Sequence, residues 1–469
     1  MQAHVTNIRG NQTLLATLDA RYFRPHQIWQ FPRFISEGLN RDHHPASSQP
    51  RSSATPSVSK RLQLLFSFLC FFTVACPLRS QTPATFVGLH IHSGVLSSQP
   101  WPSVPIGSIR LWDTRTGWND LEPSKGVYSW SNLDGHLALA QKHNLDVLYT
   151  FGQTAEWAAS GASSRCTYGP GSCFPPSNIQ DWDDFVTAVV AHSAGRIKYW
   201  ELWNEANYPS FWMGDMHTLV TLAQHAYKII KAADPKAVVL CPSSTVSPPE
   251  VGNFLKQYFA AGGTAVTDAI AFHGYVNYTR PSLPEAVLDY VTAVRGAMAS
   301  SGIAGKPIWN TEGSWGLNTA LASPSEGPGY LAREFILQWS SGVSRFYWYA
   351  WNNTHTGTLW ATNGVQPAGI AYEQIYNWLV GATMTKPCTM ATDSTWVCAM
   401  TRPGGFQALA VWNSATTKTY TPAAEYTKYL DLAGNTKPVS GAVTIGYSPI
   451  LLVSSTIVAP PTNVNATAH

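Results

Sequence analysis

From Thr85 to about Ala382 the chain alternates short runs of β-branched, aromatic and aliphatic residues with longer stretches whose apolar residues recur three and four positions apart. The short runs, 86–91, 108–112, 146–151, 197–203, 237–240, 269–272, 307–310 and 345–350, read as eight strands. Between them, 133–143, 182–193, 219–232, 251–261, 284–300 and 330–341 read as amphipathic helices. Strand and helix in alternation call for parallel strands with helical crossovers. Eight such units in roughly 300 residues suit an α/β fold of the (β/α)8 TIM-barrel kind better than a doubly wound sheet. After Gly381 the helical period stops, and 395–400, 407–412, 429–432 and 443–453 are β-rich runs separated by Gly, Pro, Asn and Thr. A small antiparallel β-sandwich domain follows from that texture. The expected organisation is therefore a barrel over 85–382, a β-domain over 383–455 and a flexible tail over 456–469.

The start of the chain has a different pattern. Lys60-Arg61 precedes an apolar run over 62–75 that ends in small residues and is too short to span a bilayer comfortably. Residues 60–84 thus read as a signal peptide region, which predicts a secreted or periplasmic protein with no membrane span in its mature chain. The polar stretch 1–59 reads as a disordered extension or a mis-called start, the true start lying near Val58. Cleavage after Ala75 leaves Cys76 first, so lipid attachment is the alternative to plain secretion, although Thr73 stands where a lipobox prefers an aliphatic residue.

Cysteine usage agrees with an oxidising compartment. Cys166 and Cys173 flank Thr-Tyr-Gly-Pro-Gly-Ser, and Cys388 and Cys398 bracket a polar turn, so each pair suits a local disulfide. Cys241 follows an apolar run and reads as a buried thiol, and without a CxxC no thiolate zinc site is suggested. Thirty Lys plus Arg against 27 Asp plus Glu leave +3 on 469 residues, of which 12% are charged, too weak a field to recruit nucleic acid. With 45% hydrophobic residues and 19 Trp, the chain has ample material for a large core.

In a barrel the chemistry sits where each strand ends. The fourth run closes in Trp200-Glu201-Leu202-Trp203-Asn204-Glu205-Ala206-Asn207, and the seventh in Trp309-Asn310-Thr311-Glu312-Gly313-Ser314-Trp315. Strands four and seven face one another across eight staves, so Glu205 and Glu312 can approach one bond from opposite sides. Cleavage of a glycosidic bond needs such a pair, one carboxyl to protonate the leaving oxygen and one to meet the oxocarbenium-like carbon. Glu201, four residues before Glu205, reads instead as a buried structural acid paired with a base.

These segments resemble the retaining glycoside hydrolases of clan A, (β/α)8 enzymes with Asn-Glu ending strand four and Glu ending strand seven. Arg110 on strand two, His273-Gly274-Tyr275 after strand six and Trp351 after strand eight fit the same pattern. The stretch from Trp118 to Asp134, containing Glu122-Pro123 and Gly126-Val127-Tyr128, is most similar to the family 39 β-xylosidase group; Ala206 departs from it, where these enzymes often carry Pro. The resemblance implies a secreted enzyme acting by double displacement on plant or microbial glycans, an oligo- or polysaccharide as its partner, and no cofactor or metal. It implies Glu205 as general acid/base and Glu312 as nucleophile. Arg110 and Tyr275 would stabilise the nucleophile's charge, Asn204 would donate to the sugar 2-hydroxyl, and His273, His92, Trp315 and Trp351 would contact substrate.

Two other readings remain open at this level. A barrel that binds carbohydrate without turnover would keep the same residues. His90-x-His92 at the end of strand one, with His273, would alternatively open a metal-dependent amidohydrolase, although Trp351-Asn352-Asn353 stands where that family commonly places an Asp ligand.

Overall fold

Eight short parallel strands make the central sheet of the computed structural model, which describes residues 80–276 and 283–454. They are β1 (Val87–His90), β2 (Ser108–Leu111), β3 (Asp146–Thr150), β4 (Tyr199–Glu201), β5 (Val238–Leu240), β6 (Ile270–His273), β7 (Ile308–Gly313) and β8 (Arg345–Trp348). Their order runs β5-β4-β3-β2-β1-β8-β7-β6, and a parallel bridge from Leu240 to Ala269 joins the two ends into a barrel. Every residue of β1, β2, β7 and β8 is buried, as strands covered on both faces require. The chain divides into two units, Met1–Pro77 and Leu78–His469, and the described residues lie in the second. The extension 1–59, most of the signal region 60–84 and the tail 456–469 fall outside the described residues.

The helices on the outside are α1 (Trp118–Leu121), α2 (Ser131–Lys142), α3 (Ile179–Ser193), α4 (Met216–Ala233), α5 (Pro248–Ala260), α6 (Val287–Ser300), α7 (Gly327–Ser340) and α8 (Pro367–Leu379). Local chemistry starts several of them. Asp215 accepts from the Thr218 amide at 2.7 Å to cap α4. Ser247 caps α5, its hydroxyl accepting from the Glu250 amide and donating to the Glu250 carboxylate at 2.7 Å, and Pro248 follows it, where a missing N–H costs nothing in a first turn. The passage from β1 to β2 carries only a 3-10 turn, Ser93–Leu96, in place of a crossover α-helix.

Beyond α8 the chain turns antiparallel. β11 (Thr383–Met390), β12 (Thr395–Arg402), β13 (Phe406–Asn413), β18 (Ile450–Ser454), β15 (Tyr426–Leu430) and β16 (Thr436–Pro438) line up in that order, while β14 (Lys418–Tyr420) pairs with β17 (Val443–Ile445). A short β9–β10 pair, Trp360–Ala361 with Gly364–Val365, precedes α8. Alternation along each strand gives the large sheet two apolar faces. Trp396, Met400, Trp412 and Leu451 join the barrel's core, and Val411, Ile450 and Leu452 pack with Val443 and Ile445 in a second cluster.

Several elements differ from the sequence expectation. The run 443–453 is two strands, because Gly446 to Pro449 turn the chain between β17 and β18. β11 was not among the expected strands; it contains Pro387 and lies at the sheet edge with register shifts on either side of Lys386, where a missing N–H breaks no ladder. The helix α8 was also not among those anticipated. Cys166–Cys173 and Cys388–Cys398 are disulfide-bonded, and Cys241 is a buried free thiol pushed up to about 12 by burial. No helix among the described residues is long and apolar enough to cross a membrane.

Candidate active site

One buried guanidinium organises the mouth of the barrel. Arg110, from β2, donates through Nε to Glu201 Oε2 at 2.7 Å, through Nη1 to Glu312 Oε2 at 2.8 Å and through Nη2 to Asn204 Oδ1 at 2.7 Å. No other side chain offers donors in three fixed directions at once. Burial opposes its charge, but Glu201 and Glu312 outweigh that cost and raise its pKa. Glu201 is saturated, taking further bonds from Thr150 and Thr311 hydroxyls at 2.7 Å each, so it is a paired structural acid.

Backbone irregularities aim the two glutamates. Phe272 pairs with Asn310 and His273 with Glu312, so Thr311 is the extra residue of a β-bulge on β7. Thr311 and Glu312 are neighbours in sequence, yet both point into the network, Thr311 toward Glu201 and Glu312 toward Arg110. The bulge also places the Thr311 carbonyl 3.0 Å from His90 Nε2. Glu205, just past β4, adopts φ 46°, a left-handed conformation that a long side chain occupies only where the surroundings impose it. Ser243, after β5, supplies that restraint: its hydroxyl accepts from the Glu205 amide at 3.2 Å and its carbonyl from the Ala206 amide at 3.0 Å.

Glu205 and Glu312 meet. A carboxyl oxygen of each, together with a ring nitrogen of His273, lies within 4.8 Å of the other two. Both side chains keep a solvent-facing edge, 12% exposed for Glu205 and 9% for Glu312. His273 Nδ1 is 2.8 Å from Glu205 Oε1, and burial holds this imidazole's pKa down at about 4, so it is neutral at ordinary pH. A neutral ring can donate to an ionised Glu205 or accept from a protonated one, depending on its tautomer. Tyr275 donates to Glu312 Oε1 at 2.7 Å; burial and then Glu312 push the phenol well up, keeping it a donor. Burial also lifts Glu312 above the ordinary glutamate value, with Glu205 adding to the lift and His273, Arg110 and Tyr275 opposing it. Because Asn204 turns its carbonyl to Arg110, its amide NH2 faces away from the guanidinium.

Arg110, Asn204, Glu205, His273, Tyr275 and Glu312 are thus brought together by side-chain contacts that do not include Trp315, Trp351 or His92. Trp315 and Trp351, anticipated against substrate, are 3% and 1% exposed. Trp315 meets Trp348 and Tyr330 edge-on and donates to Asn318, so it backs the site from within the core. His92 is anchored through its backbone amide to Asn352 at 2.9 Å, and its ring packs against Tyr349, with Nε2 sealed from solvent. Among the described residues, the one group able to gather around a cation is Glu205, His273 and Glu312; His90 and His92 stand outside it. The His90, His92, His273 set of the amidohydrolase reading is therefore not assembled. Sequence reasoning missed Thr150, Thr311 and Ser243, whose roles depend on a bulge and on strand neighbours rather than on any local motif.

The geometry has counterparts among known proteins. Residues 111–324 match the model of Glycosyl hydrolases family 39. A β-xylosidase of Geobacillus stearothermophilus is 27% identical over 202 residues, 38% of this chain and 39% of that protein, so the match spans well under half of the relative's length. Among solved structures, a GH39 β-xylosidase from Caulobacter crescentus superposes with a TM-score of 0.58 at 17% identity, over 81% of this chain and 98% of the other. A glucosidase from Croceicoccus marinus gives 0.57 at 14% identity over 77% and 82%. At these identities the structures establish a shared fold, a barrel followed by a β-domain.

Proposed function

We propose, from the match of residues 111–324 to the family 39 model and from the site's geometry, a secreted glycoside hydrolase that retains anomeric configuration and acts on β-xylosides or closely related β-glycosides. Glu312 attacks the anomeric carbon as the glycosidic C–O bond breaks, and Glu205 passes its proton to the departing oxygen. In the second step Glu205, now a carboxylate, takes a proton from water while that water displaces Glu312 from the anomeric carbon. The observation that carries this reading is the approach of Glu205 and Glu312 oxygens to within 4.8 Å from opposing strands. Retaining enzymes hold their carboxyl groups roughly 5 to 5.5 Å apart, whereas inverting ones leave about 6.5 to 9.5 Å for a water.

The division of labour follows from the contacts. Two donors, Arg110 and Tyr275, fix the Glu312 oxygens, which favours an ionised nucleophile held in one orientation. Glu205 faces a neutral imidazole, while Arg110 directs its donors to Glu201, Glu312 and Asn204, a setting in which a proton can be held and released. Asn204 presents its NH2 to the sugar 2-hydroxyl. The apolar run over 62–75 and the two disulfides support export.

Replacing Glu312 with Ala should lower kcat on an activated aryl β-xyloside by roughly 10^5-fold. Added azide should restore turnover and release a glycosyl azide of inverted configuration, read by NMR. Rescue at Glu205→Ala with the opposite configuration, or no rescue at either position, would reassign the roles. A wild-type chain that binds xylosides without cleaving them would leave the carbohydrate-binding reading.

A further inference from the structure

A third carboxylate stands at the barrel mouth outside the machinery described so far. Asp113 lies two residues beyond β2 and three beyond Arg110, half-buried and held at φ 58°. Two phenols from distant segments converge on it. Tyr168 donates to Oδ1 at 2.5 Å and Tyr349, just past β8, donates to Oδ2 at 2.7 Å. Tyr168 reaches this point from inside the Cys166–Cys173 disulfide loop, where its ring meets Trp112 and Phe211. Tyr349 is held between the rings of His90 and His92, with centroids 5.0 and 5.3 Å away, and accepts from Asn353 Nδ2 at 3.3 Å.

Half-buried Asp113 thus has one phenol donor on each carboxylate oxygen. The position relative to the nucleophile is informative. Both phenols feel the charge of Glu312 as well as that of Asp113, and Tyr275, which bonds Glu312, feels Tyr349. Contacts link Asp113 to the nucleophile's strand: Tyr349 bonds Asp113 and packs on His90, whose Nε2 lies 3.0 Å from the carbonyl of Thr311, the residue before Glu312.

We propose that Asp113 is a specificity-determining residue that receives two adjacent hydroxyls of the glycone, with Tyr168 and Tyr349 as positioning residues that orient its carboxylate. This rests on the glycosidase reading above and deepens it by naming the substrate class: a neutral glycone with a free vicinal diol remote from the anomeric carbon. An ionised carboxylate only accepts, and it offers about four lone-pair sites. Each oxygen spends one on a tyrosine, leaving one apiece for the two O–H donors of a diol. A glycone lacking either hydroxyl leaves a desolvated carboxylate oxygen unpaired, the kind of loss that polar pockets discriminate against most strongly. A uronic acid turned this way would set carboxylate against carboxylate, so acidic glycones are excluded.

The test is a cycle between protein and substrate. Wild type, Asp113→Ala and the isosteric Asp113→Asn are compared on 4-nitrophenyl β-D-xylopyranoside and its 3-deoxy and 4-deoxy counterparts. The expected result is a loss of roughly 100-fold or more in kcat/KM for Asp113→Ala on the parent, shrinking to about tenfold or less on the deoxy compounds. Equal losses on all three glycosides would overturn the proposal, because a merely structural role is blind to the substrate's hydroxyls. Tyr168→Phe and Tyr349→Phe, which keep the carboxylate and should fold, are expected to raise KM with kcat nearly unchanged; a fall in kcat alone would count against their positioning role. The same cycle is read by equilibrium binding of the three xylosides to Glu312→Gln. Coupling in binding without any wild-type turnover supports Asp113 and sinks the hydrolase reading; absence of both binding and turnover sinks both.

Discussion

Two buried arginine clusters in this molecule handle charge in opposite ways. At the barrel mouth, Arg110 is inaccessible, and each oxygen of Glu201 and Glu312 has a named donor from Arg110, Thr150, Thr311 or Tyr275. At the seam between barrel and β-domain, Arg333 on α7 is equally buried and clasps Glu285, which also accepts from Trp412 of β13 at 2.9 Å. Its neighbour Glu334 is buried with no hydrogen-bond partner on either oxygen among the described residues, and burial alone pushes its pKa well up. Depth is the same in the two places. The partner set decides whether a buried acid keeps its charge, and only the mouth assembles enough partners to hold carboxylates ready for chemistry.

Removing the hub at the mouth should have the largest effect. Arg110→Met leaves Glu201 and Glu312 buried without their cation, and uncompensated charges of this kind cost about 3–5 kcal/mol. Urea unfolding at pH 7 should show that loss, and kcat/KM should fall with it. Arg110→Lys keeps the charge but cannot serve Glu201, Glu312 and Asn204 together, so it should recover stability more than activity. If Arg110→Met unfolds at the wild-type midpoint, the mouth network is not cohesive and the contrast with the seam disappears.

Buried histidines sharpen the contrast from the acid side. His136 on α2 and His273 are both pulled down to about 4 by burial, from about 6.5 when exposed. Between those values the unfolded chain takes up protons that the folded chain refuses, so stability is full above pH 6.5 and declines as pH falls toward 4. Each contributes on the order of 3 kcal/mol to that decline. His136→Gln, remote from Glu205 and Glu312, should remove its share, flattening the dependence of unfolding free energy on pH between 6.5 and 4. An unchanged slope would mean that His136 does not refuse the proton.

Much of this was legible before any coordinates, and the limit has a physical cause. Glu205 and Glu312 close the fourth and seventh apolar runs, and barrel topology gathers strand ends wherever the loops go; Arg110, Asn204, His273 and Tyr275 were implied by the resemblance to clan A. Glu122, in the stretch that resembles family 39, receives Trp118 Nε1 and the Gly126 amide at 2.8 Å each. What could not be read depends on departures from regularity or on distant chain. The bulge at Thr311 turns two consecutive side chains inward, which strict strand alternation forbids. Tyr168 arrives from a disulfide loop with no period of its own. Trp315 and Trp351 carry the strand-end signature of cleft aromatics and also belong to the barrel's core cluster; a large apolar ring looks identical in sequence whether it meets sugar or Trp348.

The smallest expected effect returns to the seam. Glu334 has its folded pKa raised, so what it contributes is present only below the unfolded value and is lost as pH rises through and beyond it. At pH 7 the unfolded chain regains a hydrated carboxylate that the fold must keep neutral and unbonded, and the acid therefore works against folding. Glu334→Met fills similar volume without a polar group, and relieving one unsatisfied buried group is worth about 1–3 kcal/mol. The variant should melt higher than wild type at pH 8, with the gain fading as pH falls toward 4.5. Gln338, one turn further along α7 and also without partners for its side-chain amide among the described residues, offers the control: Gln338→Met should stabilise to a similar degree but with no dependence on pH. A gain at Glu334 that is flat across pH would show the acid to be charged in the fold, and the seam would then resemble the mouth after all.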